Sequence, residues 1–151
     1  MKTFAIGLVL VLFAISCNVM AKSDYVQAGQ FNISFDINNI HEVEIGESNG
    51  MNQSITLKTF DGHADISTYR PDAMSAPDRL KYLISSNKNF LSDAIVVDGK
   101  KGVIYFQFEG SHPEYTILYA LDNTSAVSIS STMSFLYTAR LLETIHITKN
   151  N

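Results

Sequence analysis

Cysteine is nearly absent: Cys17, close to the amino terminus, is the single one. No disulfide can form within the chain, so its stability must come from packing. A domain of ~150 residues buries roughly 70% of the surface that its unfolded chain exposes, which makes one unstapled core feasible. Basic charge is also scarce. The 11 Lys and Arg are outnumbered by 15 Asp and Glu, and Lys100-Lys101 is the one basic pair. Nucleic-acid binding rests on phosphate neutralisation by basic patches, so nucleic acid is excluded as a partner. Spaced glycines are missing: Asp98-Gly99-Lys100-Lys101-Gly102 lacks the pattern and the terminal Lys-Ser/Thr of a phosphate loop and reads as a hairpin turn. No Gly-x-Ser-x-Gly elbow surrounds Ser128, Ser130 and Ser131, and no His or acid stands at triad spacing, so these serines read as strand surface. His41, His63, His112 and His146 are scattered, with no His-x-x-x-His pair. Repeats, low-complexity tracts and cofactor signatures are lacking as well.

What is present begins with Lys2 and an uninterrupted apolar run from Phe4 to Ile15, followed by Ser16 and Cys17. This is the layout of a secretory signal peptide over residues 1–21, with Val19-Met20-Ala21 at the positions that a signal peptidase inspects and a mature start at Lys22. Two other readings stand beside it. Ala14-Ile15-Ser16-Cys17 loosely resembles a lipobox, which would leave Cys17 lipidated and the protein at a membrane; and the uncharged stretch from Thr3 to Ala21 barely reaches the ~20 apolar residues of a permanent anchor. Cleavage before Lys22 removes one lysine and makes the net charge of −4 more negative by one. Residues 22–151 are expected to form a single domain.

Within that domain, apolar periodicity marks the elements. Phe31, Ile33, Phe35 and Ile37 alternate with Asn32, Ser34, Asp36 and Asn38, the pattern of a strand with one face in water. Val43 and Ile45 share a face of a second strand, and a Gly/Asn-rich loop follows over 46–52. Ser54–Phe60 and Ala64–Tyr69, joined at Asp61-Gly62, read as a hairpin. Ser75 with Asp78 opens a helix of about Ala76–Ser86 with Leu80, Leu83 and Ile84 in one stripe and Pro77 in its first turn. Asp93 to Leu121 reads as three strands joined by turns at Asp98-Gly99 and Gly110-Ser111, taken as the centre of one sheet. Ser125–Thr132 is a further strand, Ser134 can cap a second helix with Phe135, Ala139 and Leu142 on its stripe, and Ile145 and Ile147 end the chain as a short strand or the close of that helix. The expected class is α+β, an antiparallel sheet of roughly seven to eight strands with two packed helices. Its core is expected to hold Phe35, Leu80, Tyr105, Phe106, Ile117, Ile129 and Leu142.

The order of these pieces resembles the PsbP-like α/β sandwich. A closer likeness is to small secreted proteins of methanogenic archaea, carried by Gly29-Gln30-Phe31-Asn32-Ile33-Ser34-Phe35-Asp36, by Val97-Asp98-Gly99-Lys100-Lys101-Gly102 and by Leu141-Leu142-Glu143-Thr144-Ile145-His146-Ile147. The resemblance implies fold and export, and an accessory or binding role without assigned chemistry.

The densest group of donor atoms is Asp61-Gly62-His63-Ala64-Asp65, where two carboxylates and an imidazole bracket a turn and can hold a hard or borderline cation. A solvated turn is the plain reading of the same residues. His41-Glu42-Val43-Glu44 and the run from Glu109 through His112 to Glu114 offer similar groups on strand edges. Tyr105, Tyr115 and Tyr119 can line a pocket or pack in the core with their hydroxyls at its rim. Asn32, Asn52 and Asn123 stand in Asn-x-Ser/Thr sequons, potential glycosylation sites in an exported protein. The function expected from all this is a non-catalytic domain outside the cytoplasm that binds a protein or small ligand at the cell surface. A secreted enzyme, or a metal-dependent protein with its site at Asp61, His63 and Asp65, is the rival.

Overall fold

The computed structural model describes residues 24–46, 52–71, 74–86, 91–109 and 112–150. The apolar leader, Cys17 and the Gly/Asn-rich loop at 47–51 lie outside the described residues. Strands β1 (Asp24–Ala28) and β2 (Phe31–Phe35) turn over Gly29 at φ +57° and pair with the terminal strand β10 (His146–Lys149) in a three-stranded sheet of order β1-β2-β10. A seven-stranded antiparallel sheet holds β3 (Ile40–Ile45), β4 (Gln53–Thr59), β5 (Gly62–Tyr69), β6 (Leu91–Val97), β7 (Lys100–Glu109), β8 (His112–Ala120) and β9 (Ala126–Ser131), in the order β3-β4-β5-β9-β8-β7-β6. Helix α1 (Ala76–Ser86) follows β5, and α2 (Phe135–Thr144) follows β9.

The pleat explains the layering, because every second side chain shares a face. Register aligns Ile45, Ile55, Ile66, Ile129, Ile117 and Ile104 in one row across six strands of the large sheet. This inner face meets Phe31, Ile33 and Phe35 of β2, Leu141 of α2 and Ile147 of β10 in the main core. Among the described residues, the opposite, outer face is covered near β7 and β8, where Val103, Tyr105 and Leu118 pack beneath Leu80 and Leu83 of α1. Ser75 prepares that helix by accepting a hydrogen bond from the Asp78 N–H at 3.3 Å, and Ala76 N–H donates to the Asn123 carbonyl in the β8–β9 turn at 3.0 Å.

Several expectations meet the structure differently. The α+β class holds, but the strands form two sheets, and Phe31–Phe35 is the middle of the smaller one. The 93–121 meander stands at one end of the large sheet, with β6 as an edge strand, because β5 pairs with β9, which takes the centre. Phe35, Tyr105, Ile117 and Ile129 are buried as expected, whereas Leu80, Phe106 and Leu142 are only partly so. Phe106 lies at the open end of the inner face in an aromatic group with Phe108 and Tyr115, at ring distances of 4.8 and 5.3 Å. On α2 the buried residues are Thr138 and Leu141, and Phe135 is exposed. Thr138 is drawn inward because its hydroxyl meets that of Ser131 at 2.8 Å and donates to the Met133 carbonyl at 3.3 Å. Ser131 is accordingly core and not strand surface. Ile84 on α1 is exposed, and Ile147 belongs to a strand. Tyr105 points to the outer face while Tyr115 and Tyr119 point to the inner one, so the three cannot line one pocket.

Two acid clamps hold β10 against the large sheet. Asp98, at φ +52° in the β6–β7 turn, lies 2.6 Å from His146 Nδ1 and 3.0 Å from Lys100 Nζ, and accepts a bond from the Ile147 N–H at 3.4 Å. Asp122, in the β8–β9 turn, lies 2.6 Å from Lys149 Nζ and accepts bonds from the Thr124 and Ser125 N–H groups at 2.6 and 2.8 Å. Burial opposes ionisation of both acids, yet these donors together prevail: Asp98 falls below its ordinary value, and Asp122 drops from 3.8 to about 2. A carboxyl whose folded pKa is depressed stabilises the fold above its unfolded pKa, and that contribution is lost as pH falls through the folded value. Stability is therefore expected to decline from about pH 4 towards pH 2, with a shallower decline in the Asp98→Asn/Asp122→Asn double variant. Urea denaturation across this pH range measures it; equal slopes for the two proteins would show that the clamps add nothing.

Candidate functional site

Among the described residues α1 lies on the β7–β8 side of the outer face, and no helix covers β3, β4 and β5 there. Alternation in the β4–β5 hairpin puts Thr56, Lys58, His63 and Asp65 on this face, and the pairing of β3 adds Glu42 and Glu44. At the hairpin tip Phe60 is 89% exposed, with its ring stacked on His41 at 5.0 Å and 30°. Between the tip and the strands runs a shallow groove of about 590 Å³, lined by His41, Glu44, Lys58, Phe60, His63 and Asp65 with Thr56, Thr59 and Gly62.

Its one lysine is paired across strands with two carboxylates. Lys58 Nζ lies 2.6 Å from Glu44 and 3.2 Å from Glu42. The hydrogen bond between Lys58 and Glu44, followed by their attraction and the second carboxylate, holds Glu44 below its ordinary range and Lys58 above its own. Asp65 Oδ1 accepts the Thr56 hydroxyl at 2.5 Å, and its Oδ2 lies 3.7 Å from His63 Nε2. His63 Nδ1 shares a hydrogen bond with the Thr132 hydroxyl at 3.0 Å, which fixes the ring.

The structure thus merges two groups that are separate in sequence, His41-Glu42-Val43-Glu44 and His63-Ala64-Asp65, into one groove. It does not bring in Asp61, whose Oδ2 accepts the Ser134 N–H at 2.7 Å beside the first turn of α2, where the helix presents unsatisfied donors. Ser134 itself makes no side-chain cap bond. Among the described residues no group of three His, Cys, Asp or Glu side chains is placed to hold a metal ion. Phe60 and Lys58 are the members that the spacing of ligand-type residues passes over; the Asp61-Gly62 turn signal, which sets Lys58 opposite His63, is the trace of Lys58 in the sequence.

The remaining candidates lie elsewhere. Glu114 accepts bonds from Gln107 at 2.8 Å and Ser130 at 3.2 Å on the outer face, and His112 is exposed at the start of β8. Of the sequons, Asn32 lies in the middle strand of the small sheet with its Oδ1 buried and unpartnered, whereas Asn52 and Asn123 are exposed.

Neither a protein-family model nor a curated protein matches the chain. A crystal structure from Bacteroides thetaiotaomicron VPI-5482 is similar in fold, with a TM-score of 0.55 and 12% identity, over 85% of this chain and 49% of that one. The chain thus spans about half the length of that neighbour, and the likeness concerns fold alone.

Proposed function

We propose that the chain is an exported, non-catalytic binding domain that takes a protein or small ligand on the outer face at the β4–β5 hairpin. The observation that carries this reading is the exposed Phe60 ring, braced on His41 at the rim of a groove of convergent polar groups. Ligand sites combine apolar surface with a few placed polar groups, and loops on a rigid scaffold carry binding more often than their share of residues. Export is supported by the apolar run from Phe4 to Ile15, and a PsbP-like sandwich by the resemblance of the strand, turn and helix-to-strand segments named above. The rival metal site retains His63 and Asp65 in the groove, with Asp61 turned to α2.

The test compares wild type with a Lys58→Ala/His63→Ala variant as baits on membrane and medium fractions of the native cells. Retention of a partner or ligand should fall at least tenfold in the variant, while the melting temperature stays within a few degrees, as exposed substitutions usually allow. Equal retention by both baits would remove this face as the site. In parallel, calcium, manganese and zinc are titrated into wild type and Asp65→Ala. A saturable rise in melting temperature in wild type alone would replace the reading with a metal-dependent one.

A further inference from the structure

We infer that the free edge of β3 takes an extended segment of another protein as an added strand, one in which basic residues alternate with apolar ones. The first ground is the direction of the backbone. Gly46 N–H donates to the Ser54 carbonyl at 2.8 Å, and the register that sets Ile45 opposite Ile55 makes these two residues directly opposed. In an antiparallel pair such bonded positions alternate with unbonded ones, so Glu44 with Thr56 and Glu42 with Lys58 also bond across the ladder. The N–H and C=O groups of Val43 and Ile45 therefore point away from β4, and among the described residues no strand pairs with them. An edge left open in this way is a template for strand addition. The other edge of the large sheet differs. The β6–β7 hairpin closes at Val97 and Lys100 around two turn residues, which turns the backbone of Ala94 outward, and Asp93 Oδ1 accepts that N–H at 2.8 Å. β6 thus covers an edge donor with its own side chain.

The second ground is the side chains that flank these groups. Val43 and Ile45 lie on the inner-face side, yet they are 39% and 59% exposed because the sheet stops beside them. Apolar residues at alternate positions of an added strand would cover both. Glu42 and Glu44 lie on the outer-face side, where they share Lys58. A single ammonium leaves the two carboxylates with an excess of negative charge, and the chain as a whole carries a net charge of −4. Basic residues at the intervening positions would stand across from Glu42 and Glu44, and opposite charges on neighbouring strands attract. The same charges oppose a second copy of this chain, since antiparallel pairing of β3 with itself about Val43 sets Glu42 of one copy against Glu44 of the other. The edge lies beside the groove described above, but neither Lys58 nor His63 makes these contacts.

The experiment titrates the purified protein into a fluorescein-labelled peptide of alternating lysine and valine and follows its anisotropy at low salt. Comparison peptides alternate glutamate with valine, or keep the lysine-valine sequence with the backbone nitrogens methylated at every valine or at every lysine. One of these two sets of N–H groups faces β3 and the other faces solvent, so methylation should weaken binding at least tenfold in one peptide and little in the other. Val43→Pro removes an outward N–H and no bond to β4, a change that edge strands tolerate, and should also weaken binding at least tenfold. Glu42→Gln/Glu44→Gln should weaken it about threefold or more. Absence of saturable binding by the lysine-valine peptide, equal affinity for the glutamate-valine peptide, or equal affinity of the two N-methylated peptides would overturn the inference. A concentration-dependent dimer of the protein that Val43→Pro dissolves would overturn it as well, by giving the edge to a second copy. Failure here leaves the groove reading to its own test, which stands on Lys58 and His63.

Discussion

Ile117→Ala is expected to lower the folding free energy by about 2–5 kcal/mol, the usual range for truncating a fully buried aliphatic side chain. Ile117 stands in the isoleucine row of the inner face, between Ile129 and Ile104 on neighbouring strands, and is wholly excluded from solvent. Loss of its side chain leaves a void with β-sheet on two sides, where the backbone ladder resists collapse into the space. Against a typical total of about 5–15 kcal/mol, this is a large share. Phe106→Ala removes a larger side chain but should cost less, because Phe106 is only partly buried, at the open end of the same face. Urea denaturation with unchanged m-values compares them. If Phe106→Ala shifts the midpoint more than Ile117→Ala, the core is centred elsewhere.

Gly62→Ala should also be severe, by about 2 kcal/mol or more, since two costs combine. Gly62 has φ +145°, a conformation closed to side chains at a cost of about 1–3 kcal/mol. A Cβ there would stand 2.8 Å from the Thr132 carbonyl oxygen and 2.9 Å from Met133 N, both backbone atoms that cannot turn aside. To relieve this contact the β4–β5 hairpin must lift from the β9–α2 junction, carrying His63 away from Thr132 and Phe60 away from its groove. Gly99→Ala is the control: it too has positive φ, at +72°, but nothing lies within 4 Å of its added Cβ, so only the conformational cost applies. Thermal melts distinguish them. Equal melting temperatures for the two variants would show that the close approach at Gly62 is unimportant.

The site was legible in pieces. Asp61-Gly62 marks a turn, and two-residue alternation then puts His63 and Asp65 on one face; both hold in the structure. The same spacing counted Asp61 with them, because proximity in sequence does not show that a carboxylate at a turn will be taken by the N–H of Ser134, far along the chain. His41 with Glu44 and His63 with Asp65 were separate groups until the pairing of β3 with β4 joined them. Phe60 carried no signal, since it stands at the end of a strand on the parity of Thr56 and Lys58 and is no ligand-type residue.

Local periodicity by itself determined which residues alternate, where Asp98-Gly99 and Asp61-Gly62 reverse the chain, and where Ser75 opens α1, because each of these depends on neighbours within a few residues. It also established a mixed α+β domain without disulfides. Only the tertiary structure decided that β5 joins β9, that β2 and β10 leave the large sheet to form a second one, and that α1 covers the β7–β8 end of the outer face. A strand's alternation states that it has an apolar side and is silent on what that side will meet. The partner is chosen by the joint burial of all the inner faces, a property of the whole chain.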